Sequence, residues 1–450
     1  MISQFLSYAI PSALANFISS LYTLVDGIFV GQGVGDTALA AVNIVLPFTV
    51  VLIGIANMLA VGGGALVSKN IGANNIDKAV DIFRQVMKLL LIICIVTSLV
   101  CIIFAEPIVR MLGATDNLAP MAKDYLRFYA IFCTPNLAGI VLNSFVRNDN
   151  RPKLAMVSTI AGAITNVVLD YVFIFPLGMG IKGAAIATGL GQIVTVSMLL
   201  PHFLRKRGVL SFGNTSLNKG TLKEVLNIGF PSFFGQLSFS IIVFLHNIAF
   251  SSYMGEVGIS TYSIINYITT NIYMVLLGLT FGAQPLISYN FGRKDSDKML
   301  KFYKINCVSS LVVSISAAAT CWILGRSIVG IFTTDPHIAN LSYNGIKIAC
   351  LAYIVGGINL DTLVYYQAVE IPKFSNMFCI FRAMVFLPIC LYVLPKVFGL
   401  NGIWASVLTS ETLTFITMYI IANVKKYTAI VIEKSNKKCD TSGHKAINMQ

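Results

Sequence analysis

The chain is written as long apolar runs separated by short polar stretches. A helix that crosses a bilayer needs about 20 mostly apolar residues. Twelve segments meet that length: residues 5–30, 39–68, 84–105, 121–146, 153–176, 181–203, 223–251, 258–288, 301–324, 339–366, 373–394 and 400–423. The longest polar gap, residues 204–222, opens Leu204-Arg205-Lys206-Arg207-Gly208 and stays rich in Gly and Asn, as an exposed linker should. After Asn423 the chain turns Lys/Ser/Asn-rich, a composition that predicts a disordered tail. The pattern predicts an all-α integral membrane protein.

The two halves repeat each other at an offset of 220 residues. Pro11-Ser12 answers Pro231-Ser232, Ser68-Lys69-Asn70-Ile71-Gly72 answers Ser288-Tyr289-Asn290-Phe291-Gly292, and Ile108-Val109 answers Ile328-Val329. After one deletion the offset is 219, and Gly180-Ile181-Lys182-Gly183 answers Gly399-Leu400-Asn401-Gly402. A unit of six spans enters and leaves on one side, so the halves must be parallel, related by an axis along the membrane normal. Two such bundles around a central cavity are a transporter plan. The expected domains are an N-terminal six-helix lobe at 1–203, a cytoplasmic linker at 204–222, a C-terminal six-helix lobe at 223–424 and a cytoplasmic tail at 425–450.

Composition removes the competing classes. With 56% hydrophobic and 11% charged residues, 450 residues have too little polar surface for a soluble globule. The net charge of +13 does not mark a nucleic-acid binder, because Lys and Arg sit in short clusters between apolar runs and form no basic groove. Those clusters set topology instead. With the N-terminus in the cytoplasm, 25 of the 32 Lys and Arg fall inside, which predicts cytoplasmic termini. Eight of the nine cysteines lie in apolar segments without C-x-x-C spacing and read as small core residues. The N-terminus has no Lys or Arg ahead of its first apolar run, which itself is interrupted by Pro11, Asn16 and Asp26, so no cleaved signal is expected. No H-E-x-x-H, G-x-S-x-G or Walker loop occurs and the four histidines are scattered. The chain reads as no enzyme, and without a nucleotide site its transport should run on an ion gradient.

The polar residues inside the spans carry the chemistry. Asn166 and Asp170 lie four apart in span 5, on one helix face. An aspartate near the centre of a membrane helix costs roughly 2.5–3.5 kcal/mol on insertion scales, and one kept at that cost usually lines a water-filled path. Asp26 in span 1 and Thr188 in span 6 fall at similar depth, counting about 1.5 Å per residue from the span ends. Asp26, Asn166, Asp170 and Thr188 can therefore form one oxygen-rich cluster that binds a proton or coordinates a desolvated cation such as Na+. The repeat breaks here, since Asp26 is answered by His246 and Asp170 by Ile389 or Cys390. The C-terminal half has Asp361 in span 10 and Glu411 in span 12, expected to tune the affinity for a cationic cargo. His246 reads as a second titrating group or a hydrogen-bonded packing residue, and Arg382 as a side chain that snorkels to the interface. Pro11, Pro47, Pro135, Pro231 and Pro285 lie inside spans, each a static bend or a hinge.

Leu21-Tyr22-Thr23-Leu24-Val25-Asp26-Gly27-Ile28-Phe29-Val30-Gly31, Phe145-Val146-Arg147-Asn148-Asp149 with Pro152-Lys153, Asn166 to Thr188, and Tyr289-Asn290-Phe291-Gly292 resemble the multidrug and toxic compound extrusion (MATE) family, within it the MepA-like bacterial branch. The likeness covers residues 1 to 424. It implies twelve transmembrane helices in two six-helix bundles forming a V-shaped transporter. The implied cycle is a rocker switch that exports bulky, often cationic and aromatic small molecules in exchange for H+ or Na+, with no cofactor. The family's cation site carries over to Asp26, Asn166, Asp170 and Thr188. Tentative cargo contacts are Asp361, Glu411, His246 and Gln236, and Pro11 is the hinge that would let span 1 bend. Some branches place a carboxylate in span 7, where this chain has His246, Gln236 and Ser238, and Asn150 stands where the 4/5 loop often has Gly. Small-molecule cationic substrates and membrane lipids are the expected partners, nucleic acid is not, and a monomer is expected. The alternatives are a lipid-linked oligosaccharide flippase of the same superfamily and a membrane-embedded enzyme or scaffold.

Overall fold

The computed structural model describes residues 1–424, together with their side chains except those at 36, 37, 39 and 424; the tail from residue 425, expected to be disordered, lies outside the described residues. Those residues form helices joined by short turns and, between α8 and α9, by a longer linker: α1 (Ile2–Gly33), α2 (Asp36–Gly72), α3 (Ile76–Ile103), α4 (Ala105–Met111), α5 (Ala119–Ile131), α6 (Cys133–Asn148), α7 (Pro152–Ile174), α8 (Gly180–Leu204), α9 (Lys219–Gly292), α10 (Ser296–Gly330), α11 (Pro336–Ala349), α12 (Ala352–Ala368), α13 (Pro372–Ile380), a six-residue π-helical turn (Phe381–Phe386), α14 (Leu387–Phe398) and α15 (Leu400–Val424). Among the described residues nine stretches are long and apolar enough to cross a membrane, and eleven if each of two bent pairs counts as one span. α9, at 74 residues, would run about 110 Å at 1.5 Å per residue, far beyond a bilayer. It is divided at Gly255, whose φ of 59° and ψ of −137° break the helix, so it supplies two spans.

Sharp bends fall at matching places in the repeat. α5 and α6 meet at 51° around Phe132, and α11 and α12 at 44° around Cys350 and Leu351. Pro135 lies three residues past the first break, but no proline accompanies the second. Pro11 and Pro47 lie inside helices that continue past them. A missing N–H permits a bend without forcing one, so the proline positions alone did not locate these breaks. The π turn ends two residues before Pro388, whose ring would clash with the carbonyl four residues back in a regular helix.

The turns preserve the repeat as well. Asn74 and Lys294 both sit at φ 61°, Asn150 at 64° and Glu370 at 60°. Each closes its helix the same way: Asn75 N–H bonds Asn70 O (2.8 Å), Asp295 N–H bonds Asn290 O (3.0 Å), Arg151 N–H bonds Val146 O (3.0 Å) and Ile371 N–H bonds Tyr366 O (2.8 Å). This is the left-handed helix stop that glycine usually supplies. Asn tolerates it well, whereas Lys294 and Glu370 meet the Cβ penalty of that region.

The helices gather into two compact units. The first, here the N-unit, comprises Leu6–Val67 and Asp77–Ser240; the second, the C-unit, comprises Met1–Phe5, Ser68–Ile76 and the chain from Ile241 onward. The N-unit core includes Val30, Val45, Cys101, Leu126, Ile174 and Ile181; that of the C-unit includes Phe250, Tyr262, Ile346, Ile403 and Trp404. On α3 the residues Leu91, Ile95, Leu99 and Ile103 form an i, i+4 stripe that is 49–65% exposed. In water such a stripe would be an association liability, while against lipid tails it is at home. The described cysteines are free and, apart from half-buried Cys307, buried, as small core residues should be.

Candidate functional site

The N-unit brings Asp26, Asn166, Asp170 and Thr188 together on α1, α7 and α8. Small residues make this possible. A Cβ on Gly191 would lie 2.7 Å from the carbonyl oxygen of Gly162 and 3.0 Å from Cβ of Asn166, and a Cβ on Gly162 would lie 2.0 Å from Oγ1 of Thr195. The backbones of α7 and α8 thus touch, the close approach that glycine permits between membrane helices. That contact seats Asn166 against α8, where its amide donates to Oγ1 of Thr188 at 3.4 Å. Asp170, one turn on, is fully buried, and it faces the Asp26 carboxyl within hydrogen-bonding reach.

Both carboxylate oxygens of Asp170, Oδ1 of Asp26 and Oδ1 of Asn166 are buried without a well-formed hydrogen bond, and the groups nearest the Asp170 carboxyl are the Asp26 carboxyl and the Asn166 side chain. Each such acceptor costs roughly 1–3 kcal/mol if left unmet. A shared proton or a small desolvated cation is what an all-oxygen set of this kind accommodates. Tyr22 on α1, Tyr125 on α5 and Gln192 on α8 surround the pair, with Tyr22 in hydrogen-bonding reach of Gln192. These three were not singled out from the sequence, because an aromatic or amide in an apolar helix has no signature until a carboxyl stands beside it. Replacing Gly191 by Ala should drive α7 and α8 apart at a cost of about 1–3 kcal/mol. Melting of the purified variant should show this loss, together with loss of transport.

The remaining candidates are placed differently. Gln236 is half-buried on α9. His246 is buried, donates Nδ1–H to Ile242 O at 2.8 Å and stacks on Tyr262 at 5.3 Å. Asp361 and Glu411 are 1% and 2% exposed. Asp361 Oδ1 accepts from Thr280 Oγ1 at 2.5 Å and Asn306 Nδ2 at 2.6 Å. Glu411 lies 2.5 Å from Nε of Arg382 and accepts from Asn359 Nδ2 at 2.6 Å. Arg382 therefore does not snorkel: the wide π turn that holds it turns the guanidinium inward to a carboxylate, with the Tyr273 ring 6.0 Å away. Pro11 is buried within α1. Asp149, part of the motif that carried the resemblance, is structural, taking His202 Nε2 at 2.7 Å and the Val209 and Leu210 amides at 2.8 and 3.2 Å, which fastens the linker to the N-unit. Among the described residues no group of three or more His, Cys, Asp or Glu is set to hold a metal.

A tandem of apolar helices with a buried oxygen cluster in one unit defines a multi-pass membrane transporter rather than an enzyme. Comparison with known proteins agrees. The MatE family profile matches twice, over residues 11–172 and 231–393, the same two halves that the internal repeat defines, and the chain belongs to that family. Similar relatives include the multidrug export protein MepA of Staphylococcus saprophyticus subsp. saprophyticus, 25% identical over 92% of both chains. The MepA of Staphylococcus haemolyticus is also 25% identical, over 93% of this chain and 92% of its own. Among solved structures, an outward-facing multidrug resistance MATE transporter of the MOP superfamily superimposes with a TM-score of 0.90 at 23% identity, covering 96% of each chain. A MOP superfamily transporter from Pyrococcus furiosus does so at 0.87 and 23% identity over 96% of each.

Proposed function

We propose that this transporter is a secondary antiporter that exports bulky, mostly cationic aromatic compounds in exchange for H+ or Na+ by alternating access. Asp26, Asn166, Asp170 and Thr188 hold the coupling ion. The observation that carries this reading is the pair of facing carboxyl groups on α1 and α7, buried within hydrogen-bonding reach of each other and lacking any cationic partner. A group that must alternately hold and release an ion is best left without competing hydrogen bonds. Multidrug export, after which the MepA relatives are named, supports the cargo class. The charge bias of the loops supports cytoplasmic termini, with lobes at 1–203 and 223–424 joined by the 204–222 linker. In this reading Pro11 is where span 1 yields when the aspartates change state, Gln236 borders the cargo path, and Glu411 and His246 act from behind it.

Dye accumulation in cells with and without the protein tests the cargo class. Ethidium-like or phosphonium-like cations should be exported, and anionic detergents of equal size ignored, since aromatic side chains and acids favour delocalised cations. Equal handling of both would reject this reading in favour of a purely hydrophobic path or the flippase alternative.

A further inference from the structure

We propose that each unit carries a dithiol site at its bent span, that the site takes a trivalent organoarsenical, aryl–As=O, and that the bridged thiols staple the bend. In the N-unit, Cys94 on α3 lies within hydrogen-bonding reach of Cys133, the first residue of α6, directly after the break at Phe132. In the C-unit, Cys321 on α10 lies within the same reach of Cys350, the residue that ends α11 at the second break. All four are at most 3% exposed. Neighbouring bonds to the main chain fix both meetings. Ser98, one turn past Cys94, donates to Ala130 O at 2.7 Å, and Trp322, next to Cys321, donates Nε1–H to Lys347 O at 3.0 Å. Each of these carbonyls stands three residues before the second cysteine of its pair, so the helix before the bend is tied to the bend itself.

Packing alone does not call for sulfur at such a junction. The repeat maps Cys94 and Cys133 onto Ser314 and Tyr353, where Ser314 Oγ donates to Tyr353 O at 2.9 Å and an ordinary hydrogen bond does the fastening. Two thiols make a weak hydrogen bond but a good pair of soft ligands. Among the described residues no third His, Cys, Asp or Glu completes either pair, and a tetrahedral zinc site needs more than two protein ligands. The ligand must be content with two sulfurs. Cu(I) between two thiolates would leave a negative charge in an apolar interior, whereas trivalent arsenic leaves none. The reaction balances without an oxidant: the arsenic–oxygen bond breaks, two arsenic–sulfur bonds form, both thiol protons leave on the oxygen as water, and arsenic stays trivalent. An apolar arsenical can arrive through lipid, since the exposed side chains of Ile95 and Ile131 adjoin the first pair and those of Trp322 and Ile323 the second. A compound that staples both bends is an inhibitor of the transporter rather than its cargo. The sites share no residue with the Asp26–Asp170 cluster, and their occupancy is read without any transport.

The probe is phenylarsine oxide, added to the purified full chain, with bound arsenic counted by mass spectrometry. One arsenic atom should bind at each pair. Cys133→Ala should remove one and Cys350→Ala the other, and the two changes together should abolish binding although the remaining cysteines are untouched. Cys94→Ala with Cys321→Ala removes the opposite partners and should give the same result, which guards against one double variant folding poorly. Because the bridge closes a loop between two helices, the arsenical should raise the melting temperature of the parent chain by at least about 3 °C and leave both double variants unmoved. Excess 2,3-dimercaptopropanol should reverse the shift. In cells, the arsenical should stop efflux of any dye that the parent chain exports and spare efflux by the double variants. The proposal is overturned if no arsenic binds, if both double variants bind as much as the parent chain, if the loaded parent chain melts unchanged, or if it exports dye at full rate.

Discussion

Asp170→Asn should reduce ion-driven efflux to the level of cells lacking the protein while leaving a chain that melts at the same temperature or higher. The two halves of this expectation have one cause. Asp170 is buried beside the Asp26 carboxyl and the Asn166 amide, and an asparagine of the same shape can keep a polar contact with each while removing the cost of a carboxyl in a helix interior. The new amide can also donate to the facing carboxyl of Asp26, whose Oδ1 is without a donor. Stability should therefore hold or rise, as is common when a functional site gives up a strained arrangement. What is lost is the group that exchanges an ion. Asp26→Asn should behave alike, since it leaves a lone buried carboxyl with an amide beside it. Dye efflux in cells and melting of the purified variants check this together. Full efflux by either variant, or collapse of both folds, would show that the pair is a helix-to-helix fastening and not a coupling site.

The sequence carried the span pattern and the tandem repeat because both rest on features that survive without neighbours: apolar length, and identities at a fixed offset. The backbone bears out the offset in the matched left-handed turns at Asn74 and Lys294, and at Asn150 and Glu370. The N-unit cluster was legible too, because a carboxyl in an apolar helix is costly enough to be conspicuous, and Asn166 and Asp170 lie one turn apart. Three things were not legible. The bend at Cys350 has no proline to announce it. Which acid is partnered depends on contacts between distant helices: Glu411 and Arg382 are 29 residues apart in the chain, yet their charges meet. And Thr280, Asn306 and Ser310 look like any hydroxyl or amide that bonds its own helix until Asp361 is seen beside them.

Glu411→Gln should be among the most destabilising single changes in the C-unit, because it strands a cation. Arg382 has a side chain only 19% exposed, and the partner that lies against its Nε is Glu411, itself 2% exposed. Ser410 Oγ bonds the Arg382 carbonyl at 2.8 Å and Asn359 Nδ2 holds both the Glu411 side chain and its carbonyl, so neither charge can simply swing out to water. Removing one member of a buried ion pair typically costs 3–5 kcal/mol, whereas replacing both with apolar groups of similar size is often neutral. The single variant should therefore lose about 3–5 kcal/mol, and the double variant Arg382→Met with Glu411→Gln should recover most of it. Tyr273, whose ring lies 6.0 Å from the guanidinium carbon, would give the stranded cation little help, since a ring face contributes about 0.5–2 kcal/mol at best. Thermal melting of the three chains, with cationic drug affinity measured on the same samples, separates this from the view that Glu411 tunes cargo binding. If Glu411→Gln melts like the parent chain and only drug affinity falls, the acid faces the cargo and its contact with Arg382 contributes nothing to the fold.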